Sequence, residues 1–133
     1  MNNVPMRFGG RGNPRAQFGC DLVWKNDDPT GAFPAQTISV DLSSYDMVMV
    51  VARYSTTTAR CFSSVCPLDG SSGTLFNLGN FSNATGYLML RIFTPSSDGI
   101  VFDSAYRRAL NSSSAASATS EYCVPTYIYG IRR

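Results

Sequence analysis

The chain has 133 residues, enough for one domain with its own core, and 44% of them are hydrophobic, which excludes a disordered chain. Charged residues make up only 15%, with 17 Ser and 10 Thr in their place, and the net charge is +2. There is no histidine, which removes the commonest general base, the Ser-His and Cys-His dyads and the commonest zinc ligand.

The charge is uneven. Residues 1–20 carry Arg7, Arg11 and Arg15 and no acid, while the remaining residues hold eight bases against nine acids. The stretch Arg7-Phe8-Gly9-Gly10-Arg11-Gly12-Asn13-Pro14-Arg15 is too rich in Gly and Pro for a helix or strand interior. It predicts an extended N-terminal arm over 1–20, with Arg7, Arg11 and Arg15 as contacts to a neighbouring subunit. Ten of the eleven bases are Arg, whose planar fork suits bidentate contacts at interfaces. A single Gly-Gly-Arg-Gly run is a weak RNA-binding signal, and nucleic acid is not an expected partner.

From residue 21 onward, short apolar runs alternate with turn formers. Leu22-Val23-Trp24 ends at Asn26-Asp27-Asp28-Pro29-Thr30-Gly31. Residues 36–42 alternate, with Ile38, Val40 and Leu42 on one face, as in a half-buried strand. Residues 46–54 are almost continuously apolar, which predicts a central strand buried on both faces. Strands follow at 59–65, 74–78, 86–94 and 100–107, with a Pro-Ser-Ser-Asp-Gly turn at 95–99. Residues 110–120 are small and polar, without an apolar stripe, and read as an exposed loop. The last strand spans 122–131; Pro125 within it removes a backbone donor and belongs at a bulge or a sheet edge. Seven to eight strands and no confident helix predict an all-β domain over 21–133, an antiparallel, jelly-roll-like β-sandwich.

Chemistry-bearing patterns are sparse. No Gly-x-Ser-x-Gly elbow, phosphate-binding Gly-rich loop or Cys-x-x-Cys is present. The acids sit in or beside turns, and no pair is singled out as a glycosidase dyad. No catalytic residue, cofactor or metal ligand is therefore assigned. Cys20, Cys61, Cys66 and Cys123 read as small apolar residues, with a Cys61–Cys66 disulfide or a zinc site as the alternatives. Tyr127 and Tyr129 share one strand face. With Tyr106 they form a candidate interface or ligand patch, suited to a subunit partner or to sugar stacking. The Arg107-Arg108 and Arg132-Arg133 pairs could meet acids on a neighbour. No run of 18 apolar residues predicts membrane insertion, and no apolar secretory segment appears in the first 30 residues, so synthesis in a cytoplasm is expected.

Three stretches together carry a resemblance: the Trp24 segment with its Asn-Asp-Asp-Pro turn and Phe33, the Gln36–Tyr54 strand pair with its Asp41-Leu42-Ser43-Ser44-Tyr45-Asp46 corner, and the closing Tyr122-Cys123-Val124-Pro125-Thr126-Tyr127-Ile128-Tyr129-Gly130-Ile131. The set resembles small β domains of tail and fibre-like proteins of phages and prophages of gut bacteria. The resemblance implies a non-enzymatic virion structural protein. It would be a tail, fibre or baseplate subunit, located in the virion and made in the host bacterial cytoplasm. Its expected partners are copies of itself, a trimer first, other virion proteins and a host surface glycan. The alternatives are a carbohydrate-binding module and a head-decoration or head-fibre protein of the capsid.

Overall fold

The computed structural model of the chain describes residues 19–79 and 86–132. The predicted arm, with Arg7, Arg11 and Arg15, lies outside the described residues except for its last two positions. Among the described residues there is no helix. Nine strands form: β1 (Gly19–Lys25), β2 (Gln36–Ser39), β3 (Met47–Ser55), β4 (Cys61–Pro67), β5 (Gly73–Gly79), β6 (Tyr87–Ser96), β7 (Gly99–Ala109), β8 (Ser117–Thr119) and β9 (Tyr122–Arg132).

They make two antiparallel sheets packed face to face. Sheet A has the order β1-β9-β3-β4; sheet B has the order β2-β7-β6-β5, with the short β8 also paired to β7. The first strand pairs with the last and the second with the seventh, in opposite sheets, which is the nested, jelly-roll-like part of the topology. The middle of the chain is simpler: β3–β4 and β5–β6 are neighbours within one sheet each. The ninth strand is β8, inside the stretch expected to be a loop. Only three residues pair there, Ser117 to Arg107 through Thr119 to Ala105, too few to leave an alternation in the sequence.

The core is the alternating inner set of both sheets. Val48, Val50 and Ala52 of β3 meet Leu75, Met89, Phe93, Phe102 and Ile128, all fully or almost fully buried. Trp24 stacks edge-on to Phe33, and Phe33 edge-on to Phe102, so the segment after β1 closes one flank of the core. β3 is central, between β4 and β9, as its apolar run predicts; its outer residues Met47, Met49 and Val51 are half-buried rather than sealed. β2 ends at Ser39 because Val40 and Leu42 leave the ladder and donate to Asp98 and Ser97 at the β6–β7 turn. Pro125 lies at a bulge, where Val51 pairs with Tyr127 and Ala52 with Pro125. Thr126 is the extra residue, and its hydroxyl donates to the Val51 carbonyl at 2.9 Å.

Arg91 is the largest side chain with no exposure at all. It lies on β6 between Met89 and Phe93 on the inner side. Its guanidinium donates to the backbone carbonyls of Cys123 (2.9 Å), Asp103 (2.7 Å), Phe33 (2.9 Å) and Tyr122 (3.1 Å). One side chain thus ties β6, β7, β9 and the Phe33 segment together through backbone carbonyls, with no ion pair to a carboxylate among the described residues. Burial pulls its pKa down to about 10, so it stays charged at neutral pH. Cys123 has a positive φ of 50°, unusual for a non-glycine residue, at the point where two consecutive carbonyls, those of Tyr122 and Cys123, accept from Arg91.

Candidate functional site

The outer faces of both sheets are apolar, and this is the most distinctive feature of the surface. On sheet A the register aligns one row across all four strands: Leu22, Tyr129, Met49 and Val65. A second row is Cys20, Ile131, Met47 and Pro67, and a third is Lys25, Tyr127, Val51 and Ser63. Lys25 is the one charge in those twelve positions. Leu22 and Val65 are each 51% exposed.

Sheet B carries an equivalent face. Phe76, Leu90 and Tyr106 align across β5, β6 and β7, next to Leu78 and Leu88 and to Ile92. Five of the eight large exposed hydrophobics, Phe76, Leu78, Ile92, Val101 and Tyr106, belong to this outer face. The alternation explains it: Leu75, Met89, Phe93 and Phe102 take the inner positions, so their apolar strand neighbours must face out. Isolated exposed apolar residues are ordinary, whereas contiguous exposed rows on both sides of one sandwich are not.

The candidate tyrosines divide between these faces. Tyr127 and Tyr129 lie together on sheet A, ring centroids 6.3 Å apart and planes tilted by 38°. Tyr106 lies on sheet B, so the three do not form one patch. The residue parity within each strand is as expected; membership of opposite sheets is what separates them. The tilt leaves Tyr127 and Tyr129 without a common plane, and both are half-buried among Met49 and Val51. That arrangement suits an apolar interface better than a flat sugar platform.

The cysteines also divide. Cys20 and Cys61 are exposed, Cys66 and Cys123 buried, and all four are free thiols. A Cys61–Cys66 disulfide is incompatible with β4. Both residues lie on that one extended strand, five positions apart, pointing to opposite faces and separated by roughly 16 Å. Burial pushes the Cys123 thiol up to about 12 and also raises Cys66, in both cases away from the reactive thiolate.

Three of the acids, Asp28, Asp41 and Asp69, act locally. Asp41 accepts from the Ser43 backbone and hydroxyl, Asp69 from the Ser71 backbone, and Asp28 from the Thr30 hydroxyl. The Ser43 hydroxyl and backbone hold Asp41, and the Ser71 hydroxyl and backbone hold Asp69, below the usual carboxylate range. Asp21 is held low by Arg132 and by the Tyr45 hydroxyl, which donates at 2.8 Å. Among the described residues no group of three or more His, Cys, Asp or Glu is placed to hold a metal ion.

The chain matches no known protein family, no curated protein and no solved structure.

Proposed function

We propose that the chain is a non-enzymatic assembly subunit, and that the assembly is a bacteriophage particle. The first half rests on one observation, the apolar rows on the outer faces of both sheets. A subunit with two such faces can contact a copy of itself on each side. The low charge lowers the cost of removing those faces from water, and β-sheet outer faces are flat enough to meet over a wide area.

The second half rests on the sequence resemblance of the Trp24–Phe33, Gln36–Tyr54 and Tyr122–Ile131 segments to phage tail and fibre-like β domains. Peptides of this chain, sought by mass spectrometry in density-purified phage particles from the producing cells, test the virion half. Stoichiometric recovery with the particle proteins is the expected result. Recovery only from the particle-free soluble fraction overturns it.

A further inference from the structure

At one end of sheet B, where Tyr87 of β6 pairs with Ala109 of β7, a cleft of about 300 Å³ opens beside the stretch leading into β8. Arg107 follows the fully buried Ala105 by two positions, so it approaches from the inner side of the sheet and not from the apolar outer face. Its guanidinium carbon lies 3.7 Å from the centroid of the Tyr87 ring and 5.3 Å from that of Tyr122. Two rings thus hold the planar cation in place. Its Nε is buried without a hydrogen-bond partner. Among the described residues the one ion pair is Asp21–Arg132, so Arg107 has no carboxylate partner there. Arg108 also lines the cleft, fixed by a 2.7 Å bond from its guanidinium to the Ser112 carbonyl. The rest of the lining is largely hydroxyl-bearing or small, including Ser114, Ser117 and Thr119, and contains no acid.

One donor of this guanidinium, its Nε, is buried and unsatisfied, and no carboxylate among the described residues pairs with the charge. Its planar fork fits a carboxylate or phosphate. The hydroxyls offer donors and acceptors to a polyhydroxylated ligand, and the volume is at the small end for ligand sites, about one monosaccharide unit. We propose that this cleft binds an oxyanion carried on a saccharide, a carboxylated or phosphorylated sugar. The tyrosine faces are already covered by Arg107, so the site offers charge and hydroxyls, not a bare stacking platform, and discriminates against neutral sugars. The proposal stands apart from the assembly reading, because Arg107 reaches the cleft from the inner side of sheet B and only Arg108, in the outer row with Leu78 and Leu88, borders an outer face.

Calorimetric titration of the full-length chain with glucuronate, glucose 6-phosphate, glucose and inorganic phosphate at constant ionic strength tests it. At least one acidic sugar binds and glucose does not. Glucuronate alone identifies the carboxylate source, glucose 6-phosphate alone the phosphate source. Arg107→Gln weakens the binding by about tenfold or more, the loss expected for one charge-assisted contact. Arg107→Lys, which keeps the charge, recovers part of it, and thermal melting establishes that both variants fold. Glucose binding as tightly as the acids, inorganic phosphate binding as tightly as glucose 6-phosphate, no binding of any of the four at tens of millimolar, or unchanged binding in folded Arg107→Gln overturns the proposal. A negative titration leaves self-association, read separately as a solution mass, unaffected.

Discussion

Replacing Arg91 by Met removes the charge and keeps most of the volume. It deletes four hydrogen bonds to the carbonyls of Cys123, Asp103, Phe33 and Tyr122, and these acceptors remain in place, those of Cys123 and Phe33 in buried bonds and those of Asp103 and Tyr122 in part-buried ones. A buried acceptor left without its donor costs about 1 kcal/mol or more. Four of them outweigh what is gained by no longer burying a cation, a gain made visible by the fall of its pKa to about 10. The net loss expected is about 3–4 kcal/mol, about 1 kcal/mol for each carbonyl stranded without its donor. Domains of this size hold about 5–15 kcal/mol in total. With a urea slope of about 2 kcal/mol per molar, the unfolding midpoint falls by roughly 2 M. Urea titration followed by far- and near-UV circular dichroism measures this. Arg91→Lys keeps the charge but reaches fewer carbonyls, and falls between the two. A stability for Arg91→Met within about 1 kcal/mol of the parent would refute the reasoning. It would show that the carbonyls find other partners and that the guanidinium does not organise the core.

The cysteines give a second test: a thiol reagent under native conditions modifies two groups, Cys20 and Cys61, and all four in denaturant, whereas native modification of Cys123 contradicts its burial. Gly130 lies under the Tyr45 ring, where an added Cβ meets ring atoms at 2.6 Å. Gly130→Ala therefore displaces Tyr45 from Asp21 and destabilises by about 1–3 kcal/mol, measured by thermal or urea unfolding; no change means the ring moves freely. Asp21 has a folded pKa below its ordinary value, so its contribution is present above about pH 4 and is lost as pH falls through the depressed value. The stability difference between the parent and Asp21→Asn, followed from pH 6 to pH 2, shrinks towards zero at the acid end. A difference that grows on acidification has the wrong sign for this pair.

Much of the fold is legible in the residues. The alternation at Gln36–Ser39, the apolar run of β3 and the Pro-Ser-Ser-Asp-Gly turn each predict an element that forms, and Pro125 is at a bulge because a central strand cannot accept it otherwise. Strand ends shift by a few residues where loop hydrogen bonds replace ladder bonds, as at Val40 and Leu42. Arg91 is hidden in the sequence because both faces of Tyr87-Leu88-Met89-Leu90-Arg91-Ile92-Phe93 are apolar, so alternation does not tell which side is the core. The same ambiguity conceals the outer faces until the register is known. Parity places Tyr127 with Tyr129 but carries no information on which sheet holds Tyr106. Parity also bears on Cys61 and Cys66: an odd separation on one strand points them apart. The cleft around Arg107 joins residues from β6, β7, the stretch before β8 and β9, a convergence set by the topology and absent from any local pattern.

The central claim, that the outer faces of the sandwich are assembly surfaces, is tested most directly by the solution mass of the full-length chain. Multi-angle light scattering from about 5 μM to 500 μM, alongside the Phe76→Asp and Val65→Asp variants, makes the measurement. Phe76 and Val65 are half-exposed on opposite outer faces, so neither substitution opens the core. A discrete oligomer that loses mass in at least one of the folded variants is the predicted result. A parent chain that remains monomeric throughout, with both variants indistinguishable from it, would contradict the claim that these faces join copies of the chain.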